Sequence, residues 1–439
     1  MSNATDKLAQ YALKSADIMI PKQGVDLHKW AVVACDQYTS EPDYWERADA
    51  FVGDAPSTLR LIYPEVYLEE EHPEARIDSI NATMRSYLEQ ELFTVYPNSF
   101  FLIHRTTPLS AIGRWGLLVA LDLDAYDYAK DSKTLIRATE GTILSRIPPR
   151  KEIRKNAPLE LPHIMVLIND EKRSVIEPLA AKSSNLRLAY DTPLMAEGGN
   201  LKAWVVDAQE DMQAIAVAVE AMYQKLDPEN PLLFAMGDGN HSLATAKSCW
   251  MDIKATLTEE ECKHHPARYA LVELENIFDP GLEFEPIHRV LFGLDRQTFL
   301  SEIATVCTSY TTEPAQDLKH LHTMINAEDG VQRFGYCDSE GLKVFSLTES
   351  KASIAAGTLQ LVIDSLLAQK KATVDYIHGE SVTEKLGSKK GNCGLILPDV
   401  SKATFFDSII KDSALPRKTF SMGEANEKRY YMEARKIQA

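Results

Sequence analysis

The sequence predicts an α+β fold, with mixed sheets and flanking helices. Three observations carry the prediction. Apolar runs of strand length alternate with longer stretches whose apolar residues recur at spacings of three and four. The alternation keeps no clean βαβ period, which argues against a doubly wound sheet. Hydrophobic residues make up 45% and charged residues 25% of 439, so apolar material for a large core is at hand.

Taken in order, residues 5–20 read as a helix or extended arm stopped by Pro21. Residues 30–35 read as a buried strand emptying into the polar turn 36–42, and residues 43–51 as a helix. That turn is either a site loop or a helix start capped by Ser40 or Asp43. An amphipathic helix is expected over 75–93, with strands at 99–104, 115–123 and 163–168. A helix over 207–226 precedes a strand at 232–236, which runs into Gly237-Asp238-Gly239-Asn240-His241 and a helix over 242–251. The last third predicts strands at 333–337, 342–347, 373–377 and 393–397, and helices at 297–307, 355–369 and 402–412. The tail at 421–437 mixes Arg, Lys, Glu and Tyr and reads as a solvated segment on the body. Two domains are expected: a main α/β body over 1–295 carrying the candidate site, and a C-terminal α+β region over 296–439.

The formal charge is −17. An acidic surface repels nucleic acid and anionic lipid, so neither is expected as a partner. An anionic small molecule would need a local cluster of cations. The six cysteines, Cys35, Cys249, Cys262, Cys307, Cys337 and Cys393, form no C-x-x-C pair, which argues against a disulfide framework or a cysteine metal site. The N-terminus lacks the pattern of a signal peptide, and no run approaches the length of a membrane span. A soluble protein of the cytoplasm is expected, and a homo-oligomer is compatible with the sequence.

Chemistry points first to the 237–241 turn. Gly237 and Gly239 permit a tight turn and close approach by a ligand. Amides at the start of the following helix suit an anion. Asp238 is placed to hold a cation or orient His241, and His241 to move a proton near neutral pH. The plainer reading is a glycine turn with Asn240 or Asp238 capping a helix. A second signal is Arg137, Glu140, Arg146, Arg150 and Arg154 within one short stretch, where guanidinium groups suit phosphate or carboxylate. Arginines pairing with their own glutamates on a helix face would look the same. A third is His288-Arg289, a pair that suits an anion or is a structural histidine beside an arginine. No Walker loop, G-x-G-x-x-G, H-E-x-x-H or G-x-S-x-G occurs.

These residues resemble the family called domain of unknown function 1015 (DUF1015). Its Asp-Gly-His-His-Arg type signature is matched by Asp238-Gly239-Asn240-His241-Ser242, its His-Arg-Val-Leu element by His288-Arg289-Val290-Leu291, and its Glu-x-Thr element by Glu140-Gly141-Thr142. The resemblance runs from about Lys22 to the end. Asn240 replaces a histidine and Ser242 an arginine, so another cation must grip any phosphate; Arg137, Arg146, Arg150, Arg268 and Arg289 are the candidates. The signature is itself similar to the phosphate-gripping turn of the ParB/sulfiredoxin-like fold, which includes free serine kinases.

The resemblance implies a nucleotide-dependent phosphotransferase acting on a small polar metabolite such as free serine, with ATP or ADP and Mg2+. Glu140 would be the base and Asp238 a magnesium ligand or second carboxylate. His241, Gly237, Gly239 and Asn240 would face the phosphates, with Arg137, Arg146, Arg150, Arg268, His288 and Arg289 as further binding residues. A non-catalytic protein sensing an anionic metabolite is the alternative. A metal-dependent hydrolase ranks last, because no histidine spacing here is typical of a metal site.

Overall fold

The computed structural model describes residues 4–108, 110 and 112–438. They form two compact units: Met1–Leu282 with Gly423–Ala439, and Glu283–Met422. The division expected near residue 295 falls inside the second unit.

Along the first unit come helices α1 (Pro42–Val52) and α2 (Pro73–Glu89), strands β1 (Phe93–Thr106) and β2 (Arg114–Asp122), and helix α3 (Ile147–Arg154). Strands β3 (Met165–Ile168), β4 (Arg187–Pro193) and β5 (Asn200–Val206) follow, then helix α4 (Gln209–Tyr223), strand β6 (Phe234–Asp238), helix α5 (Asn240–Lys254) and strand β7 (Tyr269–Asn276). They build one mixed sheet in the order β6-β3-β7-β2-β1-β5-β4, continued beyond β6 by the short strands Ile136–Arg137 and Tyr126–Asp127. The β3–β7 pairing is parallel, while β6–β3, β7–β2, β2–β1, β1–β5 and β5–β4 are antiparallel. The fold class is therefore α+β, as the sequence predicts.

The sheet is buried on both faces. Leu117, Val119 and Leu121 of β2 enter one apolar cluster, and their neighbours Leu118 and Ala120 enter another. That is the two-residue period of a strand, and burial of both faces is why such strands read as unbroken apolar runs. Helices α4 and α5 close the first face with Met212, Ile215, Val219, Leu243, Ala246 and Trp250, at helical spacing. Helix α2 closes the second with Ile80, Met84 and Tyr87.

Three expectations are corrected here. The stretch read as one helix or arm is a short helix, Ala4–Ala9, followed by strands Leu13–Lys14 and Ala16–Pro21. Residues 30–34 are buried and Cys35 partly so, but they form no ladder; Val33 pairs once, with Arg429. The 421–437 tail is not solvated: Tyr430, Tyr431, Met432 and Ala434 are buried, and Arg435–Lys436 pairs with Leu159–Glu160. Its polar tips find partners inside. Tyr431 donates to Glu273 at 2.9 Å and Tyr190 to Glu433 at 2.7 Å. Paired polar atoms make burial of such a segment affordable, which composition alone cannot reveal.

The second unit holds strand β8 (Glu285–Phe292), helix α6 (Arg296–Ile303), strand β9 (Ser309–Pro314), helix α7 (Leu318–Ile325), strands β10 (Gln332–Asp338) and β11 (Gly341–Thr348), helix α8 (Ala355–Ala368), and strands β12 (Thr373–His378) and β13 (Asn392–Ile396). Its sheet runs β9-β11-β10-β13-β8-β12, antiparallel throughout. Phe299, Phe334, Phe345, Leu359, Val362 and Leu395 form its main core. Among the described residues no helix is long and apolar enough to cross a membrane.

Candidate functional site

Strand β6 ends at Asp238, and Gly239 makes the break into α5. Gly239 is the residue before the helix and adopts φ +81°. A side chain there would be strained by that angle and would meet Ile164 Cγ1 at 3.0 Å. The glycine therefore lets the turn lie against the start of β3. Neither Asn240 nor Asp238 caps α5 with a side-chain hydrogen bond. Asp238 instead accepts from the Gly239 amide at 2.7 Å through Oδ1, and its Oδ2 lies 2.9 Å from Lys428 Nζ.

Lys428 is the centre of the site. The C-terminal segment lies beside residues 32–34: Ala34 donates to the Lys428 carbonyl at 2.7 Å, and Tyr430 donates to Val32 at 3.0 Å. This pairing sets Lys428 beside the Asp36 loop and the β6 turn. Burial alone would lower the lysine pKa, but the charges of Asp238, Asp36 and Glu140 overcome that and raise it. Three carboxylates thus act on one ammonium.

The Glu140 loop is tied to the turn from the other side. Thr139 Oγ1 donates to the Met236 carbonyl at 2.8 Å, and the Ile143 amide donates to His241 Nε2 at 3.1 Å. With Nε2 accepting, the neutral imidazole carries its proton on Nδ1. Asn240 Oδ1 is buried without a hydrogen-bond partner among the described atoms. Ser242 Oγ lies 2.8 Å from His163 Nε2. Burial holds the His163 pKa below its usual value, against the pull of Asp36 and Asp238.

The structure brings together Glu140, Asp238 and His241, with Gly237, Gly239 and Asn240 on the same turn. Arg146 and Arg150 lie at the edge of this cluster. Arg150 Nε donates to Glu65 at 2.8 Å, and burial raises the Glu65 carboxyl against the charges of Arg150 and Arg146. Asp36 acts on the same carboxyl.

Four expected residues are engaged elsewhere. Arg137 spends its guanidinium on the carbonyls of Ser132 at 3.0 Å and Pro231 at 3.1 Å, at the opposite end of β6 from the turn. Arg268 holds Asp122 at 2.6 Å and lies beside Asp124, the partner of Lys254. Trp250 and Lys254, in the second half of α5, both donate to Asp124, so Arg268 lies towards the end of that helix away from the turn. His288 and Arg289 are core residues of the second unit. His288 Nδ1 accepts from Leu397 at 3.1 Å, and Arg289 lies 5.3 Å from the Tyr376 ring.

Asp36, His163 and Lys428 join the site without having been chosen as site residues from sequence. Asp36 opens the polar turn already noted as a candidate loop. His163 is the polar residue preceding an apolar strand, a weak signal. Lys428 offered none.

Residues 19–368 match the family described as protein of unknown function (DUF1015). The chain belongs to the DUF1015 family. Three solved structures to which this DUF1015 chain is similar have low scores. One is a free serine kinase variant in complex with AMP, at 10% identity, covering 73% of this chain and 91% of the other, with TM-score 0.38. A conserved hypothetical protein from Pyrococcus furiosus has 10% identity, coverage of 73% and 95%, and TM-score 0.35. SbnI with a C-terminal truncation, from Staphylococcus aureus, has 11% identity, coverage of 70% and 82%, and TM-score 0.35. No curated protein matches the chain.

Proposed function

We propose that the first unit is a nucleotide-dependent phosphotransferase whose 237–241 turn receives the phosphates. The observation that carries this reading is the gathering of Asp238, Asp36 and Glu140 about Lys428, at the start of a 15-residue helix whose first turn presents His241. Amides at a helix start and an ammonium suit phosphate oxygens. The Ile143 amide on Nε2 fixes the proton of the neutral His241 ring on Nδ1, at the first turn of α5. Lys428 then fills the place of the arginine that Ser242 replaces. Glu140 accepts the proton of the acceptor hydroxyl, on a small polar metabolite such as free serine.

Asp238 and Asp36 present oxygen donors of the kind magnesium takes. Magnesium, bound with ATP or ADP, supplies positive charge across the phosphates. The strand–turn–helix from β6 to α5 is the part to compare with a ParB/sulfiredoxin-like core, and six free cysteines accord with a cytoplasmic setting.

Isothermal titration with ATP and ADP, with and without magnesium, tests the reading. Heat is expected with at least one nucleotide, and none with any would end it. A second reading, a sensor of an anionic metabolite, draws on Ser242, whose hydroxyl lies beside His163 rather than supplying a cation. Glu140→Gln separates the two. An enzyme keeps its heat of binding and loses turnover; a sensor has no turnover to lose.

A further inference from the structure

Beside the turn lies a cleft of about 140 Å³. Ser242 and His163, which meet at 2.8 Å, form the wall it shares with the turn. Behind them the lining is apolar: Leu61, Ile62, Ile80, Met84, Ile153 and Leu159.

Each guanidinium that lines the cleft already holds a carboxylate. Arg150 donates to Glu65, and Arg154 to Glu160, which Arg435 also holds. His163 is disfavoured as a cation by burial. An anionic or zwitterionic guest would therefore find no uncommitted guanidinium there and would lose its hydration. An uncharged apolar guest gains from the aliphatic lining.

We propose that this cleft receives the uncharged, apolar organic group of the same ligand whose phosphate sits on the 237–241 turn. The inference rests on the phosphate reading of that turn. It makes the ligand an amphipathic phosphate ester, with its charged end on α5 and its apolar end between α2 and α3. A small polar acceptor such as serine stays on the Glu140 side and does not occupy the cleft.

Titration calorimetry on the full chain tests this with inorganic phosphate, methyl and hexyl phosphate, ribose 5-phosphate and AMP. Each buried methylene is expected to tighten binding roughly fourfold, from about 0.8 kcal/mol per CH2. Hexyl over methyl phosphate, or AMP over ribose 5-phosphate, should then gain at least tenfold. The larger of the two ratios tells whether the cleft prefers an alkyl chain or a nucleobase. Met84→Trp, which fills the cleft, should shrink that ratio. Heat with phosphate and all esters, but with both ratios near one, overturns the cleft proposal and leaves the phosphate reading standing. No heat with phosphate or any ester overturns the cleft proposal, and none with ATP or ADP as well overturns the phosphate reading too.

Discussion

Lys428 is under two opposed demands, and the balance shows what it is for. Burial penalises its charge, while Asp238 at 2.9 Å, Asp36 and Glu140 favour it. The carboxylates win, so the ammonium stays charged where a phosphate would arrive. Replacing it with an apolar side chain leaves three acids facing an anion. Lys428→Met is expected to weaken ADP binding at least tenfold by calorimetry, since a charged hydrogen bond is worth about 1.5–3 kcal/mol. Lys428→Arg should retain more of the affinity. Unchanged binding in Lys428→Met would remove the lysine from the site. Gly239 makes a complementary prediction, about the backbone. At φ +81°, with Ile164 Cγ1 placed 3.0 Å from an added Cβ, Gly239→Ala should cost about 1–3 kcal/mol. A shift of the urea midpoint measures it, and an unshifted midpoint would mean the turn relaxes freely. The turn itself was legible in the sequence because two glycines between an apolar strand run and a helical pattern mark a tight break in the backbone. Its cation was not. Lys428 comes from the far end of the chain, and only tertiary pairing with residues 32–34 brings it there. The arginines looked better by type, yet Arg137 and Arg268 are consumed by local carbonyls and carboxylates that no spacing rule anticipates.

Helices with clear three-and-four spacing and strands with unbroken apolar runs were readable, since their signal lies in the element itself. The 207–226 pattern became Gln209–Tyr223, and the 232–236 run became Phe234–Asp238. Strands β4, β5, β7 and β9 are not read from the sequence, because charged and polar residues break their apolar runs. The C-terminal segment shows the limit most clearly. It buries Tyr430, Tyr431 and Glu433, with Tyr431 bonded to Glu273 and one Glu433 oxygen to Tyr190, so its polarity said nothing of its exposure. One of those tips carries a pH prediction. Burial pushes the Glu433 carboxyl up to about 8, against the hydrogen bond from Tyr190. Its Oε2 has no partner among the described atoms, which favours the uncharged acid. The native state therefore keeps this proton to about pH 8, while the unfolded chain releases it near its ordinary value of about 4.3. Between those values the unfolded state binds fewer protons, so this residue's contribution to stability is full at low pH and lost as pH rises. Glu433→Gln cannot titrate. The fall in its urea midpoint from pH 5.5 to 8.5 should be smaller than in the parent. Equal falls in the two proteins would show that Glu433 ionises in the folded state.

At the scale of the whole chain, the path matters more than the length. The chain leaves the first unit at Leu282 and rejoins it at Gly423, so Glu283–Met422 has the topology of an insertion. Length and composition suggested two domains but could not show that the last residues return, because the return depends on buried pairs such as Tyr431 with Glu273. The second unit closes on itself. Its first strand pairs with its last residues, Glu285 with Ser421 and Pro286 with Phe420, so its two ends are neighbours. It also owns a complete aromatic and aliphatic core around Phe299, Phe334 and Phe345. Adjacent ends and a private core are the conditions under which an inserted unit folds alone. Residues 283–422 produced by themselves are expected to unfold in one cooperative urea transition. His288 adds an internal check. Burial lowers its pKa to about 4, and Nδ1 accepts the Leu397 amide at 3.1 Å, so the folded unit holds it neutral. The unfolded chain protonates it below about 6.5. The unfolded state then binds more protons between those values, and stability falls as pH drops from 6.5 towards 4. The isolated unit should lose urea resistance over that window, with a smaller loss in His288→Gln, whose side chain can still accept the Leu397 amide. A fragment without a cooperative transition would mean that the second unit needs the first in order to fold.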